Sequence, residues 1–157
     1  MIRTAALLTA LLAGPVLAPG PSPAGTVQPT ALAPRRYQNQ GFEATNRVRR
    51  HHARVRLSSQ DCVQRFAERQ ARRMARQDRM FHQDLRPVLR RCRLTTAGEN
   101  VAYGYPSGTS VVNEGWMHSA EHRESILRRQ FRVLGMGARQ SADGTWYAAQ
   151  VFGGRTR

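Results

Sequence analysis

Carboxylate and imidazole side chains, which most often transfer protons or bind metals in proteins, cluster in the stretch 98–123, GENVAYGYPSGTSVVNEGWMHSAEHR. Glu99 lies near its start and His122 near its end, while His82 precedes it. A carboxylate beside an imidazole can relay a proton, and it can also fix two loops through a charge-assisted hydrogen bond. The residue types favour the structural use of such a pair, with acid/base chemistry as the alternative.

The order of residues in this stretch predicts the elements that carry these side chains. Residues 99–103 alternate in the period-2 manner of a short strand. Turn-forming residues follow, and Thr109 or Ser110 is predicted to cap the next helix. Ser119 is a second candidate cap, just before His122. If the strand and the helices pack together, a carboxylate and an imidazole line one cleft.

A short motif inside this stretch matches a known catalytic pattern. His118, Glu121 and His122 have the H-x-x-E-H spacing of zinc proteases, in which two imidazoles bind the metal and the glutamate activates a water molecule. The pattern requires one unbroken helix. A cap at Ser119 would divide that helix, and no downstream helix offers an acidic third ligand other than Glu124. A metal-dependent hydrolase is therefore an alternative function rather than the favoured one.

The net charge points to anionic partners. The 157 residues include 25 basic residues, all of them arginine, against 10 acidic residues, which gives a formal charge of +15. Such a field attracts anionic wall polymers, acidic lipid head groups or nucleic acid, mostly through attraction that salt weakens. No aromatic residues interleave the arginines as a single-strand binder would need, so we expect no specific nucleic-acid partner.

The N-terminal composition predicts export. Residues 1–24 combine a short positive start, an apolar run too short for a stable membrane anchor, and small residues before the cleavage position, which is typical of a signal peptide. Residues 25–40 are rich in Pro, Ala and Gln and are predicted to form a flexible tether, with the folded domain at 41–157. We expect a secreted, extracellular protein without a transmembrane segment in the mature chain, and a monomer.

Two cysteines fit this compartment. Cys62 and Cys92 are the only cysteines in the chain, and outside the cytoplasm an even pair is most simply a disulfide. A catalytic thiol is the alternative, but an exported thiol near a second thiol would normally oxidise. The predicted bond would stabilise the fold by roughly 3 to 4 kcal/mol on the loop-entropy model.

Hydrophobic periodicity predicts a mixed fold. A helix is expected over 43–57, and a better-patterned one is expected to start at a capping box formed by Ser58 and Asp61 and to end at 78–80, just before His82. Residues 84–97 are basic and poorly periodic. Strands are predicted at 131–139 and 145–152, joined by a tight turn, and Gly135 and Gly137 predict close packing against the first of them. Helices on both faces of a small antiparallel sheet would bury these apolar faces.

Together these residues resemble the CAP superfamily, the secreted cysteine-rich, antigen 5 and pathogenesis-related-1 proteins, and in particular its short bacterial members. The resemblance runs from Phe42 to the end of the chain. Its motifs are Asn46-Arg47, the Ala-rich helix ending in Met74 with Phe81-His82, Gly98-Glu99-Asn100-Val101-Ala102-Tyr103-Gly104, Trp116-Met117-His118-Ser119, His122-Arg123, Ile126-Leu127, Phe131, Gly135-Met136-Gly137 and Gln150-Val151-Phe152-Gly153.

The resemblance implies an α+β fold, a three-layer α-β-α sandwich of the CAP/SCP type, with a central cleft into which His82, Glu99 and His122 converge. In some relatives such a cleft holds a divalent metal, so these three residues are the candidate ligands of a zinc ion. The four-residue metal cluster of the animal and plant members is incomplete here, because Ser119 occupies the position of its second glutamate and no equivalent later histidine is present. The favoured function is a secreted binding module whose cleft recognises a ligand at the cell surface or wall.

Overall fold

The computed structural model describes residues 33–155 of the chain. The predicted signal peptide at 1–24 and residues 25–32 of the predicted tether lie outside this range. Helix α1, Pro34–His51, begins earlier than predicted, so residues 34–40 are helical and the tether prediction is wrong for them. Pro34 opens the helix with a proline in its first turn, and Tyr37 is 1% exposed against the core. One buried aromatic residue orders a segment whose composition resembles a linker.

Four strands form one sheet in the order β1-β3-β4-β2. Their bounds are Ser58–Ser59 for β1, Thr96–Tyr103 for β2, Val133–Gln140 for β3 and Trp146–Gly154 for β4. The strands β2, β3 and β4 are antiparallel neighbours, as predicted. The short strand β1 was not predicted, and it pairs with β3 in parallel, so the sheet is mixed at that edge.

One face of the sheet packs against helix α2, Asp61–Gln77. A Cβ atom at Gly135 or Gly137 would overlap the backbone of α2, at Val63 and Ala67 respectively, so the predicted close packing is confirmed. The end of α2 is also as predicted, because Asp78 adopts the left-handed conformation that closes the helix. The predicted capping box is wrong, since Ser58 belongs to β1 and Gln60 occupies the N-cap position.

The segment after α2 contains a helix that periodicity did not predict. Helix α3, Arg86–Cys92, has a proline in its first turn and buries Val88 and Cys92 against α2. The predicted disulfide is confirmed: Cys62 and Cys92 are bonded, with their Cα atoms 5.5 Å apart. It fixes the start of α2 to the end of α3.

The other face of the sheet packs against α1 and a run of short helices. Helix α4, Gly108–Ser110, continues as a π-helical turn, Val111–Gly115, and a 3-10 turn, Trp116–His118, before α5, Ala120–Leu127. The cap of α4 is Ser107 rather than the predicted Thr109 or Ser110, because the Ser107 side chain accepts from the backbone of the third helical residue. Helices therefore cover both faces of the sheet, which confirms the α+β fold.

The first helix ends at His51 instead of continuing to residue 57. The buried Asn46 side chain holds the returning chain, since its carboxamide donates to the Leu57 carbonyl at 3.1 Å and accepts from the Leu57 N–H at 2.8 Å. Within residues 33–155, no helix is both long and apolar enough to cross a bilayer.

Candidate binding cleft

Glu99 lies on β2 with a side chain that is only 2% exposed. Its two carboxylate oxygens accept hydrogen bonds from three donors in the loop after α2. The Gln83 backbone N–H lies 3.1 Å from Oε2, and the Gln83 carboxamide nitrogen lies 2.6 Å from Oε1. The third donor is His82, whose Nδ1 lies 2.8 Å from Oε2. These three hydrogen bonds to one carboxylate hold the loop against the sheet.

Neighbouring contacts fix the position of that loop. The Tyr147 hydroxyl donates to an Asp78 carboxylate oxygen at 2.8 Å, and the buried Gln70 carboxamide donates to the Phe81 carbonyl. These bonds direct His82 toward Glu99, although 61% of the histidine side chain stays exposed. Burial and the hydrogen bond to Asp78 together raise the pKa of Tyr147 to about 12, so this hydroxyl keeps its proton as a donor.

His122 lies in the first turn of α5 and is half-buried. The Asn100 carboxamide donates to its backbone carbonyl at 3.1 Å, which links α5 to β2. Burial lowers the pKa of the His122 imidazole, and the nearby charge of His82 lowers it further, while Glu121 acts in the opposite direction. The imidazole is therefore more readily neutral than an exposed histidine.

The structure thus brings His82 and Glu99 into direct contact and places His122 within electrostatic range of His82. Within residues 33–155, no group of three or more His, Cys, Asp or Glu side chains could hold a metal ion. The Glu99 oxygens already accept hydrogen bonds from Gln83 and His82. The residues present therefore do not fit the zinc site that the resemblance implies, and we assign them no metal chemistry.

A pocket of about 520 Å³ opens beside His122. Its aromatic walls are Tyr103, Tyr105 and Trp116, and Ser119 and His122 add polar groups. Tyr103 is 56% exposed, whereas Trp116 is buried and its indole nitrogen donates to the Val101 carbonyl at 3.2 Å. A concave site with apolar walls and a few polar groups is typical of a ligand pocket. We call this site the cleft. Of the three residues predicted to converge there, His122 lines it, whereas His82 and Glu99 are not among its lining residues.

The zinc-protease interpretation of the H-x-x-E-H motif is wrong, because the helix is broken within the motif. His118 ends the 3-10 turn, Ser119 is extended at φ −104° and ψ 127°, and α5 starts at Ala120. His118 is exposed on the surface and is not among the residues that line the cleft, whereas His122 is. Ser119 occupies the N-cap position of α5, as predicted, but its side chain makes no capping hydrogen bond.

The family model described as the cysteine-rich secretory protein family, CAP, matches residues 42–152. This chain belongs to the CAP family. The match runs from Phe42 in α1 to Phe152 in β4 and includes His82, Glu99 and His122.

Solved CAP structures share the fold. An outer surface protein of Borrelia burgdorferi is 19% identical, with a TM-score of 0.64, and the match covers 73% of this chain and 90% of that one. An extracellular protein containing an SCP domain from Bacillus anthracis is 25% identical, with a TM-score of 0.64, and the match covers 85% of this chain and 45% of that one.

A membrane protein of Bacillus subtilis, YlbC, is 46% identical over 41 residues. This match covers 26% of the present chain and 12% of YlbC, so the chain spans only a small part of that relative. The solved proteins that share this fold include an outer surface protein and an extracellular protein with an SCP domain.

Several CAP motif residues prove to be structural. Gln150 on β4 accepts from Asn100 at 3.3 Å and donates to the Thr45 hydroxyl at 2.5 Å, which forms a buried polar chain from α1 through the sheet toward α5. Asn100 and Gln150 are both fully buried. Both residues belong to motifs in the sequence, but their role was not predicted, because the spacing of residues along the chain shows neither burial nor partners across the sheet.

Two further residues were missed. Gln83 supplies two of the three donors to Glu99, and its only signal was its position after His82. Arg49 is fully buried and donates to the carbonyls of Val55 and Ile126 at 2.8 and 2.6 Å. Burial, and to a smaller extent two nearby arginines, lowers the pKa of Arg49 to about 10, so it stays charged at neutral pH. It fixes the end of α1 to α5, below the cleft.

Proposed function

We propose that this CAP protein is an exported binding module of the cell envelope. Its arginine-coated exterior attaches to anionic polymers, and its cleft receives a ligand without catalysing a reaction. Attachment to anionic polymers is the main part of this function, because it follows from the surplus of positive charge on the chain.

The observation that carries the proposal is the shortage of carboxylate partners for the arginines. The chain has 25 arginines and 10 acidic residues. Among residues 33–155, only four arginines lie within 4.0 Å of a carboxylate: Arg56, Arg72, Arg86 and Arg128. Such pairs are exposed and weak in water. Most guanidinium groups are therefore available to external anions such as the phosphates of a wall polymer.

The outward face of α2 carries a row of exposed arginines. Arg65, Arg69, Arg73 and Arg76 are all exposed there. Two of them lie over aromatic rings, Arg69 over Phe66 at 4.6 Å and Arg73 over Phe81 at 5.2 Å. Stacking on a ring limits the freedom of the guanidinium group, so less entropy is lost when it binds an anion.

Binding fits the cleft better than catalysis does. A general acid or base needs a site for the proton that it transfers, and the Glu99 carboxylate is buried and already accepts from Gln83 and His82. The aromatic walls at Tyr103 and Tyr105 instead offer contact area to an apolar group. The occupied carboxylate and the aromatic walls therefore support a binding site rather than a catalytic one.

The test measures retention of the full chain on immobilised poly(glycerol phosphate), a phosphate-linked wall polymer, across a range of NaCl concentrations. We expect strong retention at low ionic strength that falls steadily as salt rises, because salt screens attraction between exposed charges. Dextran, which is uncharged, is the control polymer. Absence of retention on the phosphate polymer at low salt, or equal retention on dextran, would overturn the proposal.

Matched variants separate the surface from the cleft. The double substitution Arg65→Gln with Arg76→Gln removes two exposed arginines of α2 and should weaken retention and make its salt dependence shallower. The substitution Tyr103→Ala removes an exposed ring of the cleft without changing charge, so retention on the phosphate polymer should be unchanged. The reverse pattern would mean that the cleft, and not the arginine surface, binds the polymer.

A further inference from the structure

A second concave site follows the edge of β3 that faces away from β4. It is a groove of about 620 Å³ between α1 and α2, separate from the cleft. Its floor includes Met136 and Ala138 of β3, and its walls include Arg35 of α1 and Gln64 of α2. We call it the edge groove. Strand β1 pairs with only the first two residues of β3, at Val133 and Leu134, so the rest of this edge has no neighbouring strand.

The hydrogen bonds identify which backbone groups of β3 face the edge groove. Alternate residues of a strand direct their N–H and C=O groups to the same edge. The Arg132 carbonyl accepts from Ser58 of β1 at 2.9 Å, so it points toward this edge. Both backbone groups of Met136 do the same, because they bond to Gln64. The next residue in this series is Ala138.

Gln64 takes the place of a neighbouring strand at Met136. Its carboxamide oxygen accepts from the Met136 N–H at 2.9 Å, and its nitrogen donates to the Met136 carbonyl at 2.8 Å. A carboxamide carries the same donor and acceptor as a peptide group, so one side chain reproduces one rung of a β-ladder. The Gln64 side chain is half-buried, whereas Met136 is 1% exposed, so an incoming backbone reaches Met136 by displacing this carboxamide.

Ala138 lacks even this substitute. By the same alternation the N–H and C=O of Ala138 point away from β4, and in residues 33–155 no group outside the sheet bonds them, although Ala138 lines the groove and is only 5% exposed. Unpaired backbone groups along a strand edge are a template for another extended chain. The methyl side chain of Ala138 leaves room for such a chain.

Charge along the edge groove determines what kind of chain fits. Arg35 and Arg139 both line the groove, and Arg139 follows Ala138 in the chain. Both are exposed and have no carboxylate within 4.0 Å in residues 33–155. Asp61 and Glu68 line the opposite wall, where Glu68 accepts from Gln64 at 3.0 Å. Because Glu68 is paired with Gln64 and with Arg72 while Arg35 and Arg139 have no carboxylate partner, the groove favours carboxylates on its ligand.

We propose that the edge groove binds an extended peptide segment of a partner protein as an added strand beside β3. The peptide backbone pairs with Ala138 and replaces the Gln64 carboxamide at Met136, and acidic side chains of the peptide bind Arg35 and Arg139. Strand addition to an exposed sheet edge is an established mode of peptide recognition, in which backbone bonds supply affinity and flanking side chains supply specificity. This inference is independent of attachment to wall polymers.

The test uses a fluorescein-labelled peptide in which threonine and valine alternate and which ends in two glutamates. Binding to the full, disulfide-bonded chain is measured by fluorescence anisotropy. The decisive comparison is the same peptide with methyl groups on alternate backbone nitrogens, since methylation removes the donors and keeps the charge. We expect the methylated peptide to bind at least about tenfold more weakly, which corresponds to about 1.4 kcal/mol.

Variants of the protein test the two halves of the site. Ala138→Pro removes an N–H that β4 does not use and should abolish binding, whereas Gln64→Ala should strengthen it by freeing Met136. Arg139→Gln should weaken binding several-fold, and the control Arg91→Gln, an equal charge change at an exposed position on α3, should not.

Absence of binding, or equal binding of the methylated peptide, would overturn the proposal, because the second result would mean simple charge attraction. The methylated peptide keeps this test valid even if a protein variant fails to fold.

Discussion

The two edges of the sheet are protected by different means. At the β2 edge, the Val101 carbonyl accepts from the indole of Trp116, which is 1% exposed. At the β3 edge, Met136 bonds to the half-buried Gln64 carboxamide, and Ala138 beyond it has no partner in residues 33–155. An exposed strand edge invites pairing with another chain, so native proteins usually cover it. Here one edge is closed by a bulky ring and the other by a replaceable amide.

This difference explains why the two concave sites have different chemistry. The short helices that carry Trp116 cover β2, so side chains form most of the cleft's surface and its specificity depends on rings and on His122. At the edge groove, Met136 and Ala138 of β3 line the space between α1 and α2, although they are only 1% and 5% exposed. A ligand of the cleft meets side chains, whereas a ligand of the edge groove also meets hydrogen-bonding backbone.

The largest expected effect comes from opening the closed edge. Trp116→Ala removes a fully buried ring and should lower the free energy of unfolding by about 3 to 5 kcal/mol, since a cavity replaces the ring and the Val101 carbonyl loses its donor. Trp116→Phe is the matched control, because it keeps most of the volume and loses the indole N–H, and it should cost about 1 kcal/mol. Urea denaturation measures both. Equal costs would mean that the ring does not pack as a cover.

An intermediate effect is expected from two carboxamides, each of which bonds both backbone groups of one residue. Asn46 bonds both backbone groups of Leu57 and is fully buried, while Gln64 bonds both groups of Met136 and is half-buried. Asn46→Ala should cost about 2 to 3 kcal/mol, because it leaves buried donors and acceptors unpaired. Gln64→Ala should cost about 1 kcal/mol, because Met136 is now 1% exposed and truncation of the half-buried side chain that covers it lets water bond the Met136 backbone groups. The free energies of unfolding in urea test this order.

A larger loss at Gln64 than at Asn46 would contradict the view that the β3 edge is replaceable. It would mean that the carboxamide is an integral part of the sheet, and the affinity gain expected of Gln64→Ala for an extended peptide would then have no physical basis.

Much of the fold was predictable because local chemistry and tertiary structure agree. The alternation at 99–103 predicted part of strand β2, and Gly135 and Gly137 predicted the close approach of α2. The pairing of Cys62 with Cys92 followed from compartment and number alone. In each case the constraint that selects the residue type acts at a single position or between neighbours, so it leaves a pattern in the sequence.

The missed features depend on contacts between distant segments. Helix α3 is short, and its apolar residues contact α2 only after the disulfide and the turn bring them together. Gln64 looks like any polar residue of an amphipathic helix, and only the end of β1 makes it a substitute for a strand. At the candidate site, the sequence predicted that Glu99 pairs with either His82 or His122, and the observed contact is with His82. It did not predict Gln83, whose backbone contribution has no side-chain signature.

The smallest expected effect is the pH dependence of the cleft. Burial, followed by the charge of His82, holds the pKa of His122 below its ordinary value. Since the folded state then binds fewer protons than the unfolded state, the free energy of unfolding should rise with pH through the range below about 6.5 and level off above it. Protonation of His122 thus destabilises the fold at acidic pH. The effect is small because the imidazole is only half-buried and Glu121 partly offsets the shift.

His122→Gln should flatten this part of the stability profile, and His118→Gln should leave it unchanged, because His118 is exposed and lies outside the cleft. Urea denaturation at a series of pH values measures the slopes. The β3 edge provides the contrast, since Gln64, Met136 and Ala138 do not titrate and peptide binding to their backbone has no histidine to protonate. A stability profile that keeps its slope in His122→Gln would place the titrating group elsewhere and leave the cleft with apolar recognition alone.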